Sequence, residues 1–284
     1  MIAGVTTSIP PGPFYLPGDE RPGPDGGTVA DFEATPSTTG PWYAEAQHMG
    51  PPSALLVRAM ERLAPSRPEA APEHWRLARA TVEVLGMVPA GPVTVTARVE
   101  RPGRTIELLS ATMQAGGRDV LRARAWRLTA GDTAEVAHGS AEPLPGPETG
   151  TIITERPPGW LPGFLDATEW SWLDGRGLGS QGPARAWVRL RVPLVEGEET
   201  TPLQRLMVAA DCANGVAGAL DARHWLFVNT ELTVHLHRVP AGEWIGVDAA
   251  SVIGPEGLGT CTSALFDEHG QAGRGAQALT IRPR

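Results

Sequence analysis

Apolar residues recur along this chain with two different periods, and the periods alternate in blocks. After Pro51, Leu55, Leu56, Ala59 and Leu63 repeat at helical spacing, with Arg58, Glu61 and Arg62 on the other side. Pro51 and Pro52 suit a first helical turn, where a missing N–H costs little, and Pro65 and Pro68 stop the run. The period then drops to two. Thr81–Leu85, Val93–Val99, Thr105–Met113 and Val120–Leu128 read as strands, separated by Pro89-Ala90-Gly91, Pro102-Gly103 and Gly116-Gly117. Separators this short favour antiparallel neighbours, because parallel crossovers need a dozen or more residues.

A second block repeats the first. Thr201-Pro202-Leu203-Gln204 has the form of a capping box with Pro at the first helical position. Leu203, Leu206, Met207, Ala210, Ala213, Asn214 and Ala217 then share one helical face. A strand, Ala184–Val192, precedes this helix, and Phe227–Leu236, Trp244–Ile253, Gly259–Phe266 and Gly273–Ile281 follow it. Residues 143–163 are dense in Pro and Gly and read as the linker. The stretch before Gly40 reads as loop, with Phe14-Tyr15-Leu16 as an anchor or the start of an edge strand. Val88-Pro89-Ala90-Gly91 recurs as Val239-Pro240-Ala241-Gly242, which sets an offset of 151 (239 against 88). Matching element order and this echo predict a duplicated α+β unit, with repeats at 1–145 and 146–284.

Composition narrows the class. A length of 284 residues fits about two domains, and 41% hydrophobic residues can fill a sizeable core. The net charge is −8, every basic residue is arginine, and no basic run exists, so the chain is poorly suited to grip nucleic acid. No apolar run approaches the ~20 residues of a membrane span. Met1 to Pro24 lacks a basic start and a long apolar core, so no signal peptide is expected. Two cysteines, Cys212 and Cys261, make no disulfide framework and are expected reduced. These features predict a cytoplasmic protein.

Four stretches carry a family resemblance. They are Gly40-Pro41-Trp42 with His48-Met49-Gly50-Pro51-Pro52-Ser53-Ala54-Leu55-Leu56; Ala210-Asp211-Cys212-Ala213-Asn214-Gly215; Val228-Asn229-Thr230-Glu231-Leu232-Thr233-Val234-His235-Leu236-His237-Arg238; and Gly273-Arg274-Gly275-Ala276-Gln277. In this order they resemble the thioesterase-like branch of the bacterial acyl-CoA thioesterase II (TesB-like) family, over roughly residues 30 to 284. The resemblance implies a tandem double hot-dog fold, each repeat one long helix packed on an antiparallel sheet. It implies hydrolysis of an acyl-CoA or acyl-carrier thioester by general-base-activated water, without cofactor or metal, in a homo-oligomer. It also implies a catalytic trio of Asp211, Asn229 and Gln277, where Asn229 departs from the more usual threonine. Asparagine can orient a water but supplies no hydroxyl, so the departure leaves two alternatives open: a non-hydrolytic acyl-thioester or lipid binder, and a dehydratase or hydratase built on His48 and a carboxylate.

The residue chemistry fits this assignment. At 100° per residue Asp211 lies about 80° round the helix from Leu203, at the edge of the apolar stripe and among small residues. Thioester hydrolysis needs a proton acceptor within about 3 Å of a water and donors aimed at the developing oxyanion. Asp211 suits the first role, and the helix start at His48, Met49 and Gly50 suits the second. At offset 151, Asp211, Asn229 and Gln277 fall on Met60, Ala78 and Trp126, which predicts one polar site per chain, in the second repeat. Other features are weaker. His235 and His237 with His224 read as a polar strand face rather than a zinc site. Gly175–Ser180 resembles a phosphate loop only loosely. No Gly-x-Ser-x-Gly elbow occurs. Trp160, Trp170 and Trp172 either line an acyl tunnel or pack the linker.

Overall fold

Both halves build the same sheet around one helix. The computed structural model describes residues 11–66, 74–153, 156 and 160–284. In the first half, β1 (Tyr15–Pro22) and β2 (Thr28–Ala34) precede α1 (Gly50–Glu61). Then come β3 (Trp75–Val84), β4 (Pro92–Arg101), β5 (Ile106–Ala115) and β6 (Arg118–Thr129). In the second half, β7 (Thr151–Ile152), β8 (Thr168–Trp172) and β9 (Ala184–Leu190) precede α2 (Pro202–Asp211) and the one-turn α3 (Ala213–Val216). β10 (Trp225–Asn229), β11 (Glu231–Leu236), β12 (Ile245–Ile253), β13 (Leu258–Asp267) and β14 (Gly270–Pro283) follow. The strand order is β1-β2-β4-β5-β6-β3 in the first half and β7-β8-β9-β12-β13-β14-β11 in the second, with β10 also paired to β14, so the two correspond strand for strand apart from β7 and β10. The halves join edge to edge through an antiparallel β3–β11 pair. There Thr81 faces Thr233, and their hydroxyls are hydrogen-bonded at 3.1 Å. This is the expected tandem hot-dog, of α+β class.

Four strands escape the sequence pattern: β7 within the expected linker, β8 just after it, and β1 and β2 near the start. β1 and β2 lie in the Pro/Gly-rich stretch that reads as loop. Pro17 and Pro22 are tolerated because β1 is an edge strand, where a missing N–H breaks no second ladder. Phe14 and Tyr15, the expected anchor, are fully buried at its start. The repeat offset also needs correcting. β5 pairs Leu109 with Ala125, and β13 pairs Cys261 with Gln277, which places equivalent strand positions 152 apart (261 against 109). The Val-Pro-Ala-Gly echo at 151 is therefore one residue out of register. Its Val88 is buried, whereas Val239 is exposed. The counterpart of Gln277 is Ala125 rather than Trp126, and it too is apolar.

The helices are more enclosed than their periodicity suggests. In α1 every residue from Gly50 to Met60 is buried, including Arg58, because the helix lies between its own sheet and α2. The Arg58 guanidinium survives burial by bonding Glu198 and lying 5.3 Å over the Phe32 ring. The two helices approach so closely that a Cβ on Gly50 would stand 3.0 Å from the Val208 carbonyl oxygen. This packing sets the start of α1 against the end of α2.

Candidate active site

α2 stops at Asp211, although its apolar face continues to Ala217. An unbroken helix would send the Asn214 N–H to the Ala210 carbonyl and the Asp211 carbonyl to the Gly215 N–H. Here Gly215 N–H turns instead to the Cys212 carbonyl. The side-chain amide of Gln277 on β14 takes up both freed groups. Its Nε2 donates to the Asp211 carbonyl oxygen at 3.0 Å, and its Oε1 accepts the Asn214 N–H at 3.2 Å. Gln277 thus splints the break and fixes where the Asp211 side chain leaves the helix.

A one-residue slip in the sheet supplies the next partner. Against β14, Asn229 pairs with Leu279 but Thr233 pairs with Ala276, so one extra residue is inserted between β10 and β11. The expected single strand 227–236 is broken there. The bulge changes parity: even-numbered Leu232 and Val234 face the core in β11, whereas odd-numbered Phe227 faces it in β10. Asn229 is thereby turned inward, and its Nδ2 donates to Asp211 Oδ1 at 2.8 Å.

The start of α1 completes the group. His48 Nδ1 lies 3.2 Å from Asp211 Oδ2 and 3.1 Å from the Gly50 amide nitrogen. The ring stacks on Phe164, with centroids 3.8 Å apart and planes 6° apart. Its position is held by backbone on both sides, since His48 N–H donates to the Thr38 carbonyl and Phe164 N–H to the Thr39 carbonyl. Gly50 spends its amide on this ring nitrogen, and Pro51 and Pro52 have none to offer. Met49 packs its side chain partly into the core. The structure therefore gathers Asp211, Asn229, Gln277, His48 and Gly50 at one place, with Gln277 reaching the backbone of Asp211 and not its carboxylate.

Burial sets the electrostatics. Desolvation lifts Asp211 from 3.8 to about 7, against the opposing hydrogen bond from Asn229. The same effect lowers His48 from 6.5 to about 3. The Asp211 carboxylate is only 3% exposed, and what meets the adjoining pocket is His48. This pocket holds about 480 Å³ of atom-free space, part of it open to solvent, and half of its lining residues are aromatic, counting His48. Trp42, Asn214 and Phe227 line it as well; the first two lie in the stretches that carry the family resemblance, although neither was singled out there as a site residue. Trp160, Trp170 and Trp172 line the pocket, and so does Leu178 of the glycine-rich loop. That loop closes on itself, with Ser180 Oγ accepting the Gly177 N–H.

Sequence models of the acyl-CoA thioesterase N-terminal domain and C-terminal domain match residues 38–128 and 147–281. The chain belongs to the acyl-CoA thioesterase family. Solved structures share its fold at low identity. A hot-dog protein of unknown function from Alicyclobacillus acidocaldarius is 13% identical over 91% of this chain and 94% of that one, with a TM-score of 0.68. The acyl-CoA thioesterase II TesB2 of Mycobacterium marinum is 14% identical over 90% and 93%, with a TM-score of 0.62. The dehydratase domain of PpsC from Mycobacterium tuberculosis, solved with C12:1-CoA, is 16% identical over 96% and 100%, with a TM-score of 0.51. No curated protein matches by sequence. At these identities the structures establish fold alone.

Elsewhere the weaker candidates remain apart. His235 is exposed, His237 Nε2 lies 2.9 Å from the Gln271 carbonyl, and His224 lies beside Asp221. Among the described residues no three His, Cys, Asp or Glu side chains could share a metal ion. Cys212 and Cys261 are both free and buried. Among the described residues no helix is long and apolar enough to cross a membrane.

Proposed function

We propose that this thioesterase-family protein hydrolyses an acyl-CoA thioester with water activated at His48 Nε2, the ring being oriented by Asp211. The contact of 3.2 Å between His48 Nδ1 and Asp211 Oδ2, at the wall of an apolar pocket, carries this reading. When Asp211 is ionised, Nδ1 keeps its proton and donates it to the carboxylate, so Nε2 offers a lone pair to the pocket. Water loses a proton to Nε2 as its oxygen bonds the thioester carbon. Collapse of the tetrahedral intermediate breaks the C–S bond, and the imidazolium returns the proton to the leaving thiolate. The products are a carboxylic acid and free CoA thiol. Burial alone makes this imidazole a weak base, and the ionised carboxylate offsets that by stabilising the imidazolium. Asn229 holds the carboxylate, which requires no hydroxyl. Gln277 acts as a positioning residue. Activation of the water by the Asp211 carboxylate itself, the simpler expectation, is disfavoured because that carboxylate is buried behind the ring. With Nδ1 protonated, the Gly50 amide is released from the ring and, with that of Met49, becomes a candidate oxyanion donor.

The test follows thiol release from acyl-CoA. His48→Ala should lower kcat by about 10²–10⁴ while calorimetry still detects acyl-CoA binding. An undiminished rate in this variant would refute the assignment. The same His–Asp pair also favours a second reading, dehydration of a 3-hydroxyacyl thioester or hydration of the corresponding 2-enoyl thioester. That reaction releases no thiol and changes the absorbance of the enoyl thioester.

A further inference from the structure

We propose that Leu178 closes the far end of the acyl pocket and thereby sets the length of the acyl chain this protein accepts. The proposal rests on the thioester reading above, in which His48 marks the carbonyl end of the substrate. A second cavity adjoins the first. It holds about 370 Å³ of atom-free space, part of it open to solvent, and Leu165, Trp170 and Leu178 line both. These three residues therefore stand between the two. The chemistry changes across them. On the near side lie Trp42, Trp160 and Trp172. On the far side lie Arg156, paired with Asp166, and Glu169, which accepts from Arg189 at 2.6 Å. A hydrocarbon chain gains by filling the aromatic side, but beyond the partition it strips water from these ion pairs. Lengthening the acyl chain is thus favourable as far as Leu178 and unfavourable past it.

The three residues are held in different ways. Trp170 is fixed within β8, where it stacks on Trp172 at 5.7 Å and donates its Nε1–H to Thr168 Oγ1 at 2.9 Å. Leu165 follows Phe164, whose N–H donates to the Thr39 carbonyl at 2.9 Å. Leu178 is instead carried by the glycine-rich loop between β8 and β9. The ends of this loop are tied to the fold. Asp174 accepts from Arg185 Nε at 2.8 Å, and the Gly182 N–H donates to the Gly218 carbonyl at 2.7 Å. At its tip the Ser180 N–H donates to the Gly177 carbonyl at 3.0 Å, and Gly179 turns the chain with a φ of 81°, which a larger residue resists. The loop thus holds Leu178 partly buried against the core. Leu178 is the part of the partition that a substitution removes without disturbing a strand.

The experiment measures kcat/KM by thiol release for the even-numbered saturated acyl-CoA series from acetyl to dodecanoyl. For the wild type the proposal requires a maximum short of dodecanoyl and a fall at the next homologue. Leu178→Ala removes three carbons from the wall, and each acyl methylene buried in their place is worth about fourfold. In this variant the ratio of that next homologue to the wild-type optimum should rise by about four- to fifteenfold, for one or two more methylenes buried. A ratio has the advantage that any general loss in the variant cancels. Ile152 lines the second cavity and not the acyl pocket, so Ile152→Ala should leave the ratio unchanged. A wild-type profile still rising at dodecanoyl, an unchanged ratio in Leu178→Ala, or an equal rise in Ile152→Ala overturns the inference and leaves hydrolysis standing. If no thioester releases thiol, the hydrolase reading fails instead. Calorimetric affinities of the same series then decide the inference: the same shift in Leu178→Ala supports it, and an unshifted series overturns it.

Discussion

Asp211 and His48 are buried with opposite preferences for a proton, and stability against pH should expose each of them. Burial raises Asp211 from 3.8 to about 7 and lowers His48 from 6.5 to about 3. Between about pH 4 and 6.5 the folded pair keeps one proton on Asp211, whereas the unfolded chain keeps one on His48. Folding then moves a proton without taking one up, and the pair adds little slope to stability. Single substitutions uncover the two halves. Asp211→Asn leaves His48, whose folded pKa is depressed; its contribution is complete above pH 6.5 and is lost as pH falls toward about 3. His48→Gln leaves Asp211, whose folded pKa is raised; its contribution is complete below pH 3.8 and is lost as pH rises through about 7. Each unit of pH is worth about 1.36 kcal/mol per group. From about pH 4.5 to 6, Asp211→Asn should gain about 2 kcal/mol relative to the wild type, and His48→Gln should lose about as much. Urea unfolding followed by tryptophan fluorescence at several pH values measures both, and differences from the wild type remove the contribution of all other groups. Parallel profiles for the two variants would refute burial as the cause of both shifts.

The rate of thioester hydrolysis should rise with pH through a single ionisation near 7, because only ionised Asp211 holds the His48 proton on Nδ1; an Asp211→Asn variant that keeps this inflection would contradict the assignment. Gln277→Leu removes both partners of the break after α2 and should destabilise the fold by about 1–3 kcal/mol on chemical denaturation. It should also lower kcat, and unchanged stability would show that the splint is dispensable. In the first half, burial opposes ionisation of Glu107, but hydrogen bonds from Ser66 and Arg127 outweigh it and leave its carboxyl below the usual range. Glu107→Ala strands the buried Arg127 guanidinium and should cost about 3–5 kcal/mol, read as a fall in the urea midpoint.

The sequence by itself determined what is periodic and local. The change of period from 3.6 to two placed α1, α2 and the long strands, and the capping box at Thr201 and Gln204 formed as its spacing required. Repeated element order was enough to predict a duplicated α+β unit, and the family resemblance made that unit a tandem hot-dog. β1 was hidden because Pro17, Gly18 and Pro22 mimic loop, which its edge position tolerates, and β2 because it follows a Pro/Gly-rich turn and shows its strand character only by pairing with β1 and β4. The site is a tertiary product. The spacing of Asp211, Asn229 and Gln277 says nothing of distance, and their grouping came from family resemblance. Tertiary structure alone decided that Gln277 replaces two lost helix bonds and that a bulge turns Asn229 inward. It also decided that His48, 163 positions before Asp211 (211 against 48), becomes the carboxylate's neighbour. The physical reason is that hydrophobic periodicity specifies which face of an element is buried, while side-chain partnership depends on how two buried faces meet. Here that meeting is set by α1 and α2 closing to contact at Gly50 and Val208.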